Sequence, residues 1–164
     1  METLQALTQY YGSYDEDNRL CSRRGSVEYL TTMRYIEKYL RPGMRILEIG
    51  AATGRYSHYF AQQGYWVNAV ELLEHNIEIF KTKTLSGENL TVTQVNANDL
   101  LDFSDNTYDI TLLLGPMCHL FPRRKSCRLC QRRFGSQSGA DYLQRVLYGR
   151  CICTSIWFRA RRDI

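Results

Sequence analysis

"MRILEIGAATGRYSHYFAQQGYWVNAVEL", residues 44–72, holds a short apolar run, a cluster of small residues, an aromatic amphipathic stretch and a second apolar run, in that order. The first run, through Ile46, Leu47 and Ile49, reads as a strand that ends on the glycine cluster. After it, Tyr56, Tyr59 and Phe60 recur at helical spacing, and Gly64 closes that helix before "YWVNAVEL" begins a second strand. Strand, glycine-rich turn, helix and strand make one right-handed crossover unit, so the two strands are expected to lie parallel.

The flanks extend the same pattern. Upstream, "SVEYLTTMRYIEKYL" places Val27, Leu30, Met33, Ile36, Tyr39 and Leu40 on a helical stripe, with Ser26 as the candidate N-cap and Pro42-Gly43 as the stop. Downstream come a helix in "LEHNIEIFKTKTL", a strand in "NLTVTQVN", a polar loop through "ANDLLDFSDNT" and a fourth, strongly apolar strand in "YDITLLLG". Strands alternating with helices at this spacing predict an α/β domain whose mainly parallel sheet is buried on both faces.

Composition sets the outer limits. At 164 residues, 44% apolar and 23% charged, the chain has the size and balance of one globular domain. Its start, "METLQALTQYYGSYDEDN", is acidic and lacks the apolar core of a leader, and no apolar run is long enough to cross a membrane, so a cytoplasmic protein with reduced cysteines is expected. The formal charge of +4 conceals a division at Phe121. Residues 1–121 carry a net −5, whereas residues 122–164 carry +9 and four of the six cysteines.

The residues that point to chemistry are "ILEIGAATGRYS". Glu48, Gly50, Ala52 and Gly54 alternate at the carboxyl end of the first strand, where open α/β sheets bind ligands. Small residues let the chain turn sharply while a ligand approaches its backbone, and the amides of the following helix then favour an anionic group. A dinucleotide fingerprint needs glycines at positions where this chain has Ala52 and Arg55, so that class fits poorly. The E-x-G-x-(G/A)-x-G spacing instead resembles motif I of class I S-adenosylmethionine-dependent methyltransferases, and the likeness covers residues 27–121.

That resemblance implies a Rossmann-like, three-layer αβα fold with strand order 3-2-1-4-5-7-6, of which this chain is expected to supply only strands 1 to 4. It implies S-adenosylmethionine as cofactor, no metal, and a small-molecule acceptor. Glu48 would orient the methionine end and Gly50, Ala51, Ala52, Thr53 and Gly54 would wrap it. Glu71, followed by Leu72, matches the acid that accepts hydrogen bonds from the ribose hydroxyls; Asp99, followed by Leu100, matches the acid that faces the adenine. "YDITLLLGPMCHL" resembles motif IV, and His119 is a weak candidate for a general base. Taken singly, Glu71 and Asp99 are ordinary loop acids and His119 an ordinary packing histidine; their order at successive strand ends carries the reading. Residues 1–26, with their tyrosines and Arg19, are expected to form a lid on the acceptor side, and residues 27–121 the cofactor domain.

Residues 122–164 form a separate, basic tail in which periodicity stops, although "CICTSIWF" alone has the propensity of a strand. A zinc knuckle would pair Cys127 and Cys130 with Cys151 and Cys153, but a Cys-x-Cys half-site is a poor tetrahedral clamp and the tail has no histidine. Nucleic-acid binding through the arginines, with Phe134, Tyr142, Trp157 and Phe158 interleaved, rests on composition alone and is not expected. The third reading follows from codons. Allowed codons for "KSCRLCQRRFGSQSGADYLQ", shifted by two nucleotides, can encode "KLPPLSEALRVTKRGGLLA", which resembles the helix and Gly-Gly turn that follow motif IV in the family. The tail is therefore read as out-of-frame translation that is poorly ordered, leaving strand 4 as an apolar edge and activity weakened or lost, with a non-catalytic cofactor-binding remnant as the alternative function.

Overall fold

The computed structural model describes residues 5, 8, 9, 11, 16–97, 99–100, 103, 107–114 and 154–158, the last five by their backbone. A one-turn helix α1 (Glu16–Arg19) leads into α2 (Arg23–Glu37), followed by β1 (Arg45–Ile49), α3 (Arg55–Gln62), β2 (Trp66–Glu71), α4 (Glu74–Lys83), β3 (Leu90–Gln94), β4 (Ile110–Leu114) and β5 (Thr154–Phe158). The five strands form one sheet in the order β3-β2-β1-β4-β5. Strands β3, β2, β1 and β4 are parallel, with Ile46 opposite Val67 and Ile110 on its two neighbours.

Register decides which residues share a face. Ile46, Val67, Ile110 and Leu112 join Met33 and Ile36 of α2 and Tyr56, Phe60 and Ala61 of α3 in one apolar cluster, and Ala69 meets Phe80 of α4 on the same side. On the reverse side Leu47, Ile49, Val70 and Leu113 are covered by Leu100, with Val95, Ala97, Phe103 and Tyr108 around them. β1 is thus buried on both faces, as a central parallel strand must be. Among the described residues the helices occupy one face; the opposing helical layer implied by the resemblance falls outside them.

Two expectations need correction. The cap of α2 is Ser22, whose side chain accepts from the Gly25 amide at 3.1 Å, and not Ser26, whose hydroxyl donates to the Ser22 carbonyl at 2.7 Å. Gly25 allows this earlier start, because a side chain there would collide with the Arg19 carbonyl and Leu20. The second correction concerns the edge of the sheet. β4 is not left open: β5, drawn from "CICTSIWF", pairs with it antiparallel, placing Phe158 opposite Ile110 and Thr154 opposite Leu114. An apolar strand edge selects for a β-prone partner, and this segment is the most β-prone part of the tail.

Candidate functional site

The turn after β1 is built from left-handed backbone at alternate positions: Gly50 at φ 73°, Ala52 at φ 49° and Gly54 at φ 84°. The amides of Gly50 and Ala51 donate to the Val70 carbonyl at 2.7 and 3.0 Å, tying the turn to the end of β2. The Gly54 amide donates to the Ala51 carbonyl at 2.8 Å and closes the turn. Gly54 is then the N-cap of α3 and brings no side chain to cap it, while the Ser57 amide in the first turn donates to the Glu48 carboxylate. A side chain at Gly54 would collide with the ring of Phe80, which explains why this position needs glycine twice over.

Two buried carboxylates flank the turn. Glu48, on the α3 side of β1, accepts a short hydrogen bond from the Ser57 hydroxyl. Burial pushes its carboxyl up to about 7; the Ser57 bonds oppose that shift and the charge of Glu71 adds to it. Glu71, at the end of β2, is held differently: Oε2 accepts from the Ala52 amide at 2.8 Å, while Oε1 accepts from the Leu73 amide at 3.0 Å and the Asn76 amide nitrogen at 3.4 Å. A carboxylate offers about four acceptor sites, so protein donors take most of those on Glu71 and Asn76 is the loosest of them.

Glu48, Gly50, Ala51, Ala52, Thr53, Gly54 and Glu71 are therefore gathered at the carboxyl ends of β1 and β2. Leu72 follows half-buried, its carbonyl accepting from the Gln94 side chain at 3.1 Å. Asp99 lies exposed beyond β3, its amide donating to the Asn96 carbonyl at 2.7 Å. Leu100 belongs to the core on the reverse face of the sheet, packed with Leu47, Ile49 and Val70. His119, Gly115-Pro116 and the four tail cysteines lie outside the described residues. Among the described residues no group of three or more His, Cys, Asp or Glu is placed to hold a metal ion, and no helix is long and apolar enough to cross a membrane.

The N-terminal side contributes contacts that residue spacing does not reveal. The Arg55 guanidinium, at the first position of α3, stacks 4.6 Å from the centroid of the Tyr29 ring, and its Nη1 donates to Cys21 Sγ at 2.8 Å. Burial raises the Tyr29 hydroxyl pKa, and the Arg55 charge and hydrogen bond offset part of that. Arg19 pairs with Glu28 at 3.0 Å and so braces α2. Three residues of consequence were not singled out from sequence: Ser57, His58 and Glu88. The one available signal was Ser57, which stands three residues after a glycine cap, facing back toward the strand acid.

A family profile described as "Methyltransferase domain" matches residues 46–134, more than half of the chain. No curated protein matches the sequence. Among solved structures, phosphoethanolamine N-methyltransferase 1 of Haemonchus contortus, in complex with phosphoethanolamine and S-adenosylhomocysteine, superposes with a TM-score of 0.67 at 16% identity, over 86% of this chain and 30% of that one. The PH0226 protein of Pyrococcus horikoshii OT3 gives 0.61 at 12% identity, over 93% and 99% of the two chains. The YcgJ protein of Bacillus subtilis gives 0.54 at 23% identity, over 62% and 44%. At these identities the likeness is one of fold, and the chain spans less than half the length of the Haemonchus and Bacillus proteins.

Proposed function

The chain belongs to the class I S-adenosylmethionine-dependent methyltransferase family, and from that premise we propose that it binds S-adenosylmethionine at the β1–β2 cradle and passes its methyl group to a small-molecule acceptor. The observation that carries this reading is the pair of buried carboxylates, Glu48 and Glu71, on either side of a turn with three left-handed residues.

The donor set suits that cofactor. Glu48, buried and hydrogen-bonded by Ser57, has no counter-charge among the described residues, and a cationic amino group would supply one. Glu71 keeps acceptor capacity for a ribose hydroxyl, and a second hydroxyl would displace the loose Asn76 contact. The N-terminus of α3, whose cap Gly54 brings no side chain, suits a carboxylate. Gly50 to Gly54 let the ligand lie against backbone, and Asp99, exposed beyond β3, is assigned to the adenine side.

The bound cofactor supplies a methyl carbon already activated by its sulfonium. What remains for the protein is to hold the reacting groups in line, which a rigid turn anchored to β2 does without a covalent intermediate. A base is needed only where the acceptor must lose a proton, and His119 stays the candidate for that task. A second reading, a cofactor-binding protein without turnover, is favoured by one observation: the edge of β4 is occupied by a segment of the arginine-rich tail.

Calorimetry with S-adenosylmethionine and S-adenosylhomocysteine, paired with a methyl-transfer assay on a panel of small amines, alcohols and thiols, separates these readings. Micromolar binding with methylated product is the expected result. Binding without product would favour the second reading, and absence of binding would refute both.

A further inference from the structure

We propose that His58 is the positioning residue of the glycine turn, acting as an imidazolium clasped between the end of α4 and Glu88. The proposal rests on the cofactor reading above for its functional consequence, and on geometry for its substance.

His58 stands one turn into α3, its amide donating to the Gly54 carbonyl at 2.9 Å, and its side chain is buried. Nε2 lies 3.2 Å from the carbonyl oxygen of Phe80, and Nδ1 lies 3.5 Å from Oε2 of Glu88, an ion-pair separation longer than a hydrogen bond. Both ring nitrogens therefore face groups that only accept. A neutral imidazole has one N–H, so it would leave one nitrogen lone pair against an oxygen; the doubly protonated ring has a donor for each. The Phe80 carbonyl, among the last four of α4, also accepts from the Thr84 hydroxyl at 3.3 Å, and the negative end of that helix favours a cation. Oε2 of Glu88 further accepts from the Leu85 amide at 3.1 Å, while Oε1 is buried with no hydrogen-bond partner among the described residues. The acidic and basic groups on the packed elements are Glu88 in the turn before β3, Glu74, His75, Glu78, Lys81 and Lys83 on α4, and Arg55 on α3; β3 carries none. Of these, Glu88 is the one at ion-pair distance.

The clasp reaches the turn through Phe80. The His58 and Phe80 rings are 4.6 Å apart, and the Phe80 ring fills the space where a Gly54 side chain would stand. One imidazole thus ties the start of α3 to α4 and to the approach of β3. Loss of its second proton sets an acceptor against an acceptor, loosens the wall behind Gly54, and weakens the cradle.

The test uses three readouts on the whole chain. Imidazole 15N shifts of His58 should show two protonated nitrogens, one for each acceptor the ring faces, and Glu88→Gln should leave one of them bare. Amide exchange at Gly54 should quicken about tenfold in His58→Gln, with Glu88→Gln as the second variant should the first not fold. Affinity for S-adenosylhomocysteine should fall about tenfold in His58→Gln. A wild-type ring with one bare nitrogen, or Gly54 exchange unchanged in both variants, would overturn the proposal. Failure of the wild type to bind at any pH would strike the cofactor reading instead, and the nitrogen shifts and exchange rates would still decide the clasp.

Discussion

Replacing Gly54 by alanine isolates how tightly the cradle is built. Two effects act at that position. Its φ of 84° lies in the left-handed region, where an alanine is strained by about 1–2 kcal/mol. The new methyl group would also overlap Cδ2 and Cε2 of the fully buried Phe80 ring and stand 3.0 Å from Cδ2 of His58, a case of overpacking that costs about 1–3 kcal/mol. Gly54→Ala should therefore lose about 2–5 kcal/mol in all. Gly64 supplies the control: its φ is 85°, yet nothing lies within 4 Å of the position a side chain would take. Gly64→Ala should lose only the strain, about 1–2 kcal/mol. Urea unfolding of both variants and the wild type measures the difference, which is the steric part alone. Trimming the wall with Phe80→Leu should recover some of it in the Gly54→Ala background and none in the Gly64→Ala background. Equal losses for the two glycines, within about 0.5 kcal/mol, would refute the claim that Phe80 backs the turn.

Three further outcomes follow from the same contacts. Glu48 is an acid whose folded value, about 7, stands above its ordinary 4.5, so the folded state holds that proton more tightly. Its stabilising contribution is full below about 4.5 and is lost as the pH rises through 7, a change on the order of 3 kcal/mol that Glu48→Gln should abolish in unfolding titrations across that window. Glu71→Gln should not behave as a conservative change, because both carboxylate oxygens accept from backbone amides and an amide side chain must turn its NH₂ toward one of them. Calorimetry should show S-adenosylhomocysteine affinity falling at least tenfold, with about 1–3 kcal/mol lost in urea unfolding. Ser22→Ala removes the cap of α2 and should cost about 1 kcal/mol, whereas Ser26→Ala should cost less, as read by thermal unfolding.

Much of the fold could be read from residue order because its signals are local. Ile46, Leu47 and Ile49 before a glycine turn, and Val67, Ala69 and Val70 after a helix, identify buried parallel strands without knowledge of what they pair with. The start of α2 could not be read the same way. Ser22 and Ser26 are both sound caps, and the choice is made by Gly25 fitting under the Arg19 carbonyl, a contact that exists only once the chain has folded back. β5 had the right composition for a strand, but its place beside β4 depends on an open edge far away in the sequence, Leu114 opposite Thr154. Local propensity identified the segment and tertiary pairing gave it a partner.

The site divides along the same line, and the two glutamates show why. From sequence, Glu48 and Glu71 are alike: an acid at the carboxyl end of a strand, near a turn. In the folded chain they are opposites. Glu71 is ringed by N–H donors from Ala52, Leu73 and Asn76, so its charge is stabilised by the protein and the turn is stabilised in return. Glu48 is buried with the Ser57 hydroxyl for company, so its charge is costly until a cation arrives. On the proposed reading, the first carboxylate holds the cradle's shape and the second receives a cationic group. That division depends on which donors lie within reach, and those donors come from α3, from the turns after β1 and β2, and from α4. Ser57 is nine residues from Glu48 and reaches it because α3 lies over β1; Glu88 is thirty from His58 and meets it where the end of α4 turns toward β3. Side-chain type at strand ends marks where a ligand goes; the packing of the two helices decides how tightly each charge there is held.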